Sequence, residues 1–322
     1  PAVLPLEVVE ECRKSLPNLN NSGFGLIEIS HRSQTFQNIV DSSMEKLRRI
    51  LSIPEDYTVL YLQGGASLQF YMSALNLLRE NEKVDFLVTG AWSQKAMKEA
   101  NRIGDASARW DDNGNGFRSI PKNGEYSIRK DSLYLHYTSN NTLFGTQFHH
   151  LPDSDGKPRV LDASSDIMGV PLDVSAHDLI YAGAQKNLGP SGVTVVILSP
   201  WAMQRVPKNL PTMLDYSVHS SKGSLFNTPN TFGIFVLDKV FSWIEDNGGL
   251  EGAISRNKAK SDLLYKELDR SDFWLPHAQK DSRSVMNITW RLPNIELEEK
   301  FLKESSEAGL GGLKGHRSVG GI

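Results

Sequence analysis

Apolar and polar positions follow two alternating rhythms through the middle of the chain. Thr58-Val59-Leu60-Tyr61-Leu62 is a short apolar, β-prone run, followed by Gly64-Gly65 and a helical pattern to about Leu78. Asp85–Thr89 is a second such run, with a helical stretch around Ser93–Ala100 behind it. Leu133–Tyr137, Val160–Asp162, Leu179–Ala182 and Val193–Leu198 read as further strands. Strands separated by helices or long crossovers predict an α/β fold with a mostly parallel sheet covered on both faces. After about Thr231 the rhythm changes. Phe232–Asp246 predicts a helix stopped by Asn247-Gly248-Gly249, and Ile254–Leu268 a second helix. Val285–Arg291 alternates like a strand, and Ile295–Ala308 reads as a helix. This tail predicts a small α+β domain, with a boundary near 245–250.

The 322 residues suit a large domain plus a smaller one. With 35 basic and 38 acidic residues the net charge is −3, so neither a nucleic-acid nor an anionic-membrane surface is expected. Basic residues that matter should act locally, on a small anion. The lone Cys12 cannot form an intramolecular disulfide, and no Cys/His cluster suggests a metal. A reducing, cytoplasmic setting is expected. No apolar run approaches the roughly 20 residues of a membrane span, and the first residues lack the basic-then-apolar pattern of a signal peptide.

Five features carry candidate chemistry. Gly64-Gly65-Ala66-Ser67 joins a strand to a helix, where small residues and free amides suit an anion. It is neither a Rossmann fingerprint nor a P-loop, and taken alone a plain βα turn explains it better. Asp162 ends a strand, where α/β folds bind ligands, and could protonate a pyridine nitrogen or simply cap a helix. Lys186 follows an apolar strand amid small residues, between Gln185 and Asn187. Burial there would favour the neutral amine that attacks carbonyl carbon, whereas a random loop lysine is solvated. Trp92 lies just after another strand, placed to stack on an aromatic ligand or to fill core. His31-Arg32 and His316-Arg317 are basic doublets that suit carboxylate or phosphate, or plain solvent.

Taken together, these stretches resemble one family. Ile29-Ser30-His31-Arg32-Ser33, Gly64-Gly65, Val88-Thr89-Gly90-Ala91-Trp92-Ser93, Ala182-Gly183-Ala184-Gln185-Lys186-Asn187, Asn227-Thr228-Pro229 and Lys314–Gly321 occur in the order seen in phosphoserine aminotransferases and cover nearly the whole chain. The resemblance implies a pyridoxal-phosphate (PLP) dependent, fold-type I enzyme of the class V group, working as a homodimer. It implies a large domain with a seven-stranded sheet over 15–246 and a small domain of 1–14 and 247–322. The implied reaction converts 3-phosphohydroxypyruvate and glutamate to O-phosphoserine and 2-oxoglutarate in serine biosynthesis. A phosphorylated precursor of vitamin B6 is a further implied substrate.

The resemblance also implies residue roles. Lys186 would attach PLP and shuttle the reaction's proton, Asp162 pair with the ring nitrogen, and Trp92 stack on the ring. Thr142 would bond near the ring hydroxyl, and Ala66, Ser67 and Gln185 hold the phosphate, with Asn227 and Thr228 arriving from the partner subunit. His31, Arg32, His316 and Arg317 would bind the substrate's phosphate or distal carboxylate in turn. Two local departures stand out: Asn140-Asn141-Thr142 where the family usually has Asn-Glu-Thr, and Ala66-Ser67 at the phosphate turn. The family pattern continues past Ile322 with an arginine that clamps the α-carboxylate, and then a closing helix. A chain of these 322 residues alone is expected to bind PLP but to bind substrate poorly. Alternative readings are a PLP-binding protein without turnover and another class V reaction. A desulfurase is disfavoured because it needs a mobile catalytic cysteine and Cys12, near the terminus, is a poor candidate, and a NAD enzyme because the glycine fingerprint is absent.

Overall fold

The computed structural model describes residues 3–316 and 319–322. The chain enters through helices α1 (Leu6–Ser15) and α2 (Gln34–Leu51). Then come β1 (Thr58–Leu62), α3 (Gly65–Leu77), β2 (Lys83–Val88), α4 (Ala91–Ala100), β3 (Asp105–Asp111) and β4 (Ser132–Thr138). A small hairpin of β5 (Asn140–Asn141) and β6 (Thr146–Gln147) precedes β7 (Arg159–Asp162), β8 (Leu179–Gly183) and β9 (Thr194–Leu198). The remainder is α5 (Pro200–Arg205), α6 (Tyr216–Ser221), α7 (Thr231–Asp246), α8 (Gly249–Leu268), β10 (Leu275–Pro276), β11 (Trp290–Arg291) and α9 (Ile295–Glu307).

Seven strands form one sheet in the order β1-β9-β8-β7-β4-β2-β3. Only β9 runs against the rest, pairing antiparallel with both β1 and β8. Side chains alternate between the faces, as a two-residue period requires. In β8, Ile180 and Ala182 join one apolar cluster, which includes Val8, Phe36, Leu47 and Phe241. Leu179 and Tyr181 join the other, with Phe70, Leu77, Ala96 and Tyr216. Helices α1, α2 and α7 therefore cover one face and α3 to α6 the other. A third cluster, around Leu268, Trp290 and Ile322, draws only on residues after 247.

The predicted strands of the sheet all form, within a residue or two. The periodicity above does not predict α1, α2 or β3. Helix α2 spaces its buried Phe36, Ile39, Val40, Leu47 and Leu51 among polar residues, so no continuous run marks it. Strand β3 lies at the sheet edge, and Ala106 is its one buried residue. The predicted strand Val285–Arg291 pairs only at Trp290–Arg291. Its first half is captured by side chains instead. The amides of Met286 and Asn287 both donate to Ser284 Oγ at 2.9 Å, and that of Val285 to Gln147 Oε1 at 3.0 Å.

Candidate active site

Parallel pairing places Thr138 beside Asp162 and Asp162 beside Tyr181, so β4, β7 and β8 end together. The chain after each strand contributes to one site. Asp162 is 3% exposed. Its Oδ1 accepts the backbone amide of Ser164 at 3.0 Å and the Ser164 hydroxyl at 2.6 Å. Burial raises the Asp162 carboxyl above its ordinary value, while the Ser164 bonds and the nearby Lys186 charge pull it down.

Lys186 is half-buried and donates from Nζ to Thr142 Oγ1. Burial lowers its amine, opposed by the charges of Asp162 and Asp166. The following residue anchors the loop, Asn187 Nδ2 donating to the Ile167 carbonyl at 3.0 Å. The hairpin that carries Thr142 is also fixed by side chains. Asn140 Nδ2 donates to Ser165 Oγ at 2.8 Å and to Asn287 Oδ1 at 2.7 Å. Asn141 Nδ2 reaches Thr89 Oγ1 at 3.0 Å and Thr146 Oγ1 at 3.1 Å.

That second asparagine explains a glycine. A Cβ on Gly90 would stand 2.4 Å from Asn141 Oδ1. Gly90 opens the turn before Trp92, and Ser93 cinches it by accepting the amides of Thr89 and Gly90, each at 3.1 Å. Trp92 is half-buried, with Lys95 Nζ 4.4 Å from its ring centroid.

Helix α3 starts from Gly64 and Gly65, both in the left-handed region at φ +87° and +64°, and no side chain caps it. The amides of its first turn, including those of half-buried Ala66 and exposed Ser67, thus have no capping side chain. Half-buried Gln185 sits at the start of the lysine loop, its Oε1 close against Gly183. Asn227 and Thr228 dock beside the α3 turn of their own chain. The Thr228 carbonyl accepts from Gln63 Nε2 at 3.0 Å, and Asn227 lines a cavity of about 310 Å³ with Gln63 and Gly64.

His31 and exposed Arg32 precede α2, and among the described residues no hydrogen bond or ion pair joins them to Lys186 or Asp162. His316 is exposed in the C-terminal segment, and Arg317 lies outside the described residues. The sequence reading missed Asp166, Ser139, Gln147 and Ser164. Their signal was faint: a carboxylate four positions after Asp162 and a serine two positions after it. Among the described residues no His, Cys, Asp or Glu cluster could hold a metal ion. None of their helices is long and apolar enough to cross a membrane.

Known proteins resemble this chain in sequence and fold. The class-V aminotransferase profile matches residues 1–320. The phosphoserine aminotransferase of Geobacillus kaustophilus is 48% identical over 322 residues, covering all of this chain and 89% of the relative. That of Desulfotalea psychrophila is 47% identical over 321 residues with the same coverage. The solved phosphoserine aminotransferase from Bacillus circulans subsp. alkalophilus superposes with a TM-score of 0.97 at 44% identity, covering 100% of this chain and 90% of that one. A structure described as PLP-bound phosphoserine aminotransferase from Trichomonas vaginalis superposes at 0.93 with 32% identity, covering 100% and 92%. The chain belongs to the class-V aminotransferases and, within them, to the phosphoserine aminotransferase family.

Proposed function

We propose that this protein transfers the amino group of L-glutamate to 3-phosphohydroxypyruvate, giving O-phospho-L-serine and 2-oxoglutarate, with PLP as cofactor. The observation that carries this reading is Lys186, an amine with a depressed pKa beside Thr142 and the buried carboxylate of Asp162, in a chain 47% identical to phosphoserine aminotransferases.

The residues present fit PLP. Asp162 keeps Oδ1 on Ser164, and among the described residues no hydrogen bond is made to Oδ2, which is free for a protonated ring nitrogen. The uncapped start of α3 offers amides to a phosphate. Trp92 would lie against the ring, Thr142 near its hydroxyl, and Gln185 by the phosphate. When bound, PLP supplies an electron sink for the carbanion formed at the substrate's Cα.

The chain's own residues would do the rest. Lys186 Nζ would hold the cofactor and, as a base, would move the proton at the substrate's Cα. Burial keeps a larger share of that amine neutral near pH 7. Burial raises the Asp162 carboxyl and its Ser164 bonds oppose that rise, so the carboxylate would pair with a protonated ring nitrogen. His31, Arg32, His316 and Arg317 would hold the phosphate of one substrate and the distal carboxylate of the other. The surface position of Asn227-Thr228 supports a homodimer in which each subunit completes the other's site. We also assign residues 15–246 to a large domain and 1–14 with 247–322 to a small one, supported by the separate cluster around Trp290, and a cytoplasmic setting.

The test is turnover by the purified full chain with PLP, glutamate and 3-phosphohydroxypyruvate, read as O-phosphoserine formed. No phosphoserine, together with efficient use of glyoxylate or pyruvate, would move the protein to another class V reaction. No change in cofactor absorbance on adding glutamate would leave a PLP-binding protein without turnover. The phosphorylated vitamin B6 precursor, assayed in parallel, settles the second substrate.

A further inference from the structure

The hairpin that carries Thr142 is short, with Asn140 opposite Gln147 and Asn141 opposite Thr146. Two strands of this length do not hold a position by themselves. Side chains fix it instead, and several of their bonds converge on Asn140, which is 1% exposed. The Asn140 carbonyl accepts from Ser165 Oγ at 2.8 Å, and Nδ2 donates back to the same oxygen at 2.8 Å. Nδ2 also donates to Asn287 Oδ1 at 2.7 Å, and Oδ1 accepts from Ser284 Oγ.

These bonds connect three parts of the chain. Ser165 belongs to the turn after β7, where Ser164 holds Asp162. Ser284 and Asn287 belong to the C-terminal segment. That segment reaches the hairpin twice more: the Ser284 amide donates to the Gly145 carbonyl at 2.8 Å, and the Val285 amide to Gln147 Oε1 at 3.0 Å. Thr142 stands two residues after Asn140 and accepts from Lys186 Nζ. Gly145, on the other side of Thr142, has no slack. At φ +66°, a Cβ there would stand 2.8 Å from Thr289 Oγ1 and 2.9 Å from the Asn287 carbonyl oxygen. The turn that presents Thr142 to Lys186 is thus gripped on both sides by segment 284–289.

The transamination proposed above gives Asp162, Thr142 and Lys186 their tasks and leaves Asn140 without one. We infer that Asn140 is a positioning residue of that reaction, acting through Thr142: it sets where the Lys186 amine stands relative to the Asp162 turn, and ties that placement to segment 284–287. Truncating a buried amide with four bonds costs stability whatever its role, because each partner loses its bond. A positioning role differs in that the effect reaches Lys186 and passes through Thr142. The inference rests on Lys186 as the reactive amine, but its test requires neither substrate nor turnover.

Competitive acetylation of the cofactor-free full chain at one fixed pH, followed by mass spectrometry, reads the reactivity of the Lys186 amine. Asn140→Ala lets Thr142 move off Nζ, and Lys186 reacts faster by about two- to ten-fold, the size of one hydrogen bond lost. In Thr142→Val the acceptor is already gone, so adding Asn140→Ala changes nothing further, and a double-mutant cycle reads that non-additivity. Asn76→Ala removes another buried amide, bonded to the carbonyls of Met72 and Leu214 and outside this network, and leaves Lys186 as it was. An unchanged reactivity in folded Asn140→Ala overturns the inference. So does the same rise in the Thr142→Val background, which would bypass Thr142, or an equal rise in Asn76→Ala, which would be general loosening. Thermal unfolding checks each variant. Should Asn140→Ala not fold, Asn287→Ala removes one bond from the half-buried side of the network and is read in the same way. If the chain proves not to be an aminotransferase, the Lys186 rates are still measured, so the two failures are distinguishable.

Discussion

Ser164 gives both its hydroxyl and its backbone amide to a single oxygen of Asp162, at 2.6 and 3.0 Å. Those bonds oppose the rise that burial imposes on the carboxyl. Ser164→Ala removes the hydroxyl bond, so Asp162 takes up a proton at higher pH. A hydrogen bond to a charged acceptor is worth about 1.5–3 kcal/mol. PLP affinity is therefore expected to weaken roughly ten-fold or more at that energy, with the acid limb of the activity profile moving to higher pH. Cofactor titration and a pH–rate profile check this, and an unmoved acid limb would contradict the assigned role of Asp162.

Lys186→Ala removes the amine that the proposed mechanism uses both to attach PLP and to move the Cα proton. Losing a positioned base alone costs about 10²–10⁴ in rate, so kcat should drop at least that far. The fold should persist, because the sheet is formed by apolar side chains on both faces. Far-UV circular dichroism together with turnover separates the two effects. Retained activity would end the assignment.

Arg32→Ala tests the shared anion patch. If the guanidinium holds phosphate and distal carboxylate alike, it binds ground and transition states similarly. KM for glutamate and for phosphohydroxypyruvate should both rise, by about ten-fold or more if a hydrogen bond between charged groups is lost, with kcat little changed. A rise for one substrate alone would rule out a shared patch.

Gly90→Ala probes the turn below Trp92. Its Cβ would stand 2.4 Å from Asn141 Oδ1. Asn141 is 1% exposed and bonded to both Thr89 and Thr146, so it has little room to retreat. Overpacking of this kind costs about 1–3 kcal/mol. The expected result is a lower melting temperature and weaker PLP binding, because Trp92 and Thr142 sit on either side of the displaced contact. Asn141→Ala in the same background should recover part of the packing loss, which a double-mutant cycle measures.

The Gly90–Asn141 contact also shows what the sequence could carry. Central strands were legible because burial on both faces leaves an uninterrupted apolar run, as in Leu179–Ala182. Lys186, Asp162 and Trp92 stood out because each follows such a run. The edge strand β3 and helix α2 were not legible, since half-exposed elements dilute their apolar positions among polar ones. Val285–Asn287 looked like a strand, yet its amides are satisfied by Ser284 and Gln147, partners no local pattern reveals. Asp166 was hidden for the same reason: Ser139 and Gln147 meet it only once β4, β6 and β7 have assembled.

Two buried histidines set how the protein responds to acid. His177 Nδ1 donates to the Asp173 carbonyl at 2.7 Å, so Nε2 is the acceptor for the Tyr137 hydroxyl at 2.6 Å, and the neutral ring is fully bonded. Burial lowers it to about 4, and lowers His136, bonded to Tyr181, to about 3. The unfolded chain protonates both near 6.5. Between about pH 6.5 and 4 the unfolded state therefore binds more protons, and stability falls as pH falls. Asp166 acts in the opposite sense below about 6, because its folded carboxyl is the one that holds the proton more tightly. His177→Gln removes one of the two histidine contributions. At pH 7.5 it should be less stable by about 1–3 kcal/mol, the cost of disrupted buried hydrogen bonds. Its stability should also fall less steeply with acid than that of the parent. Urea unfolding at a series of pH values measures both, and a slope equal to the parent's would show that His177 takes up its proton while still folded.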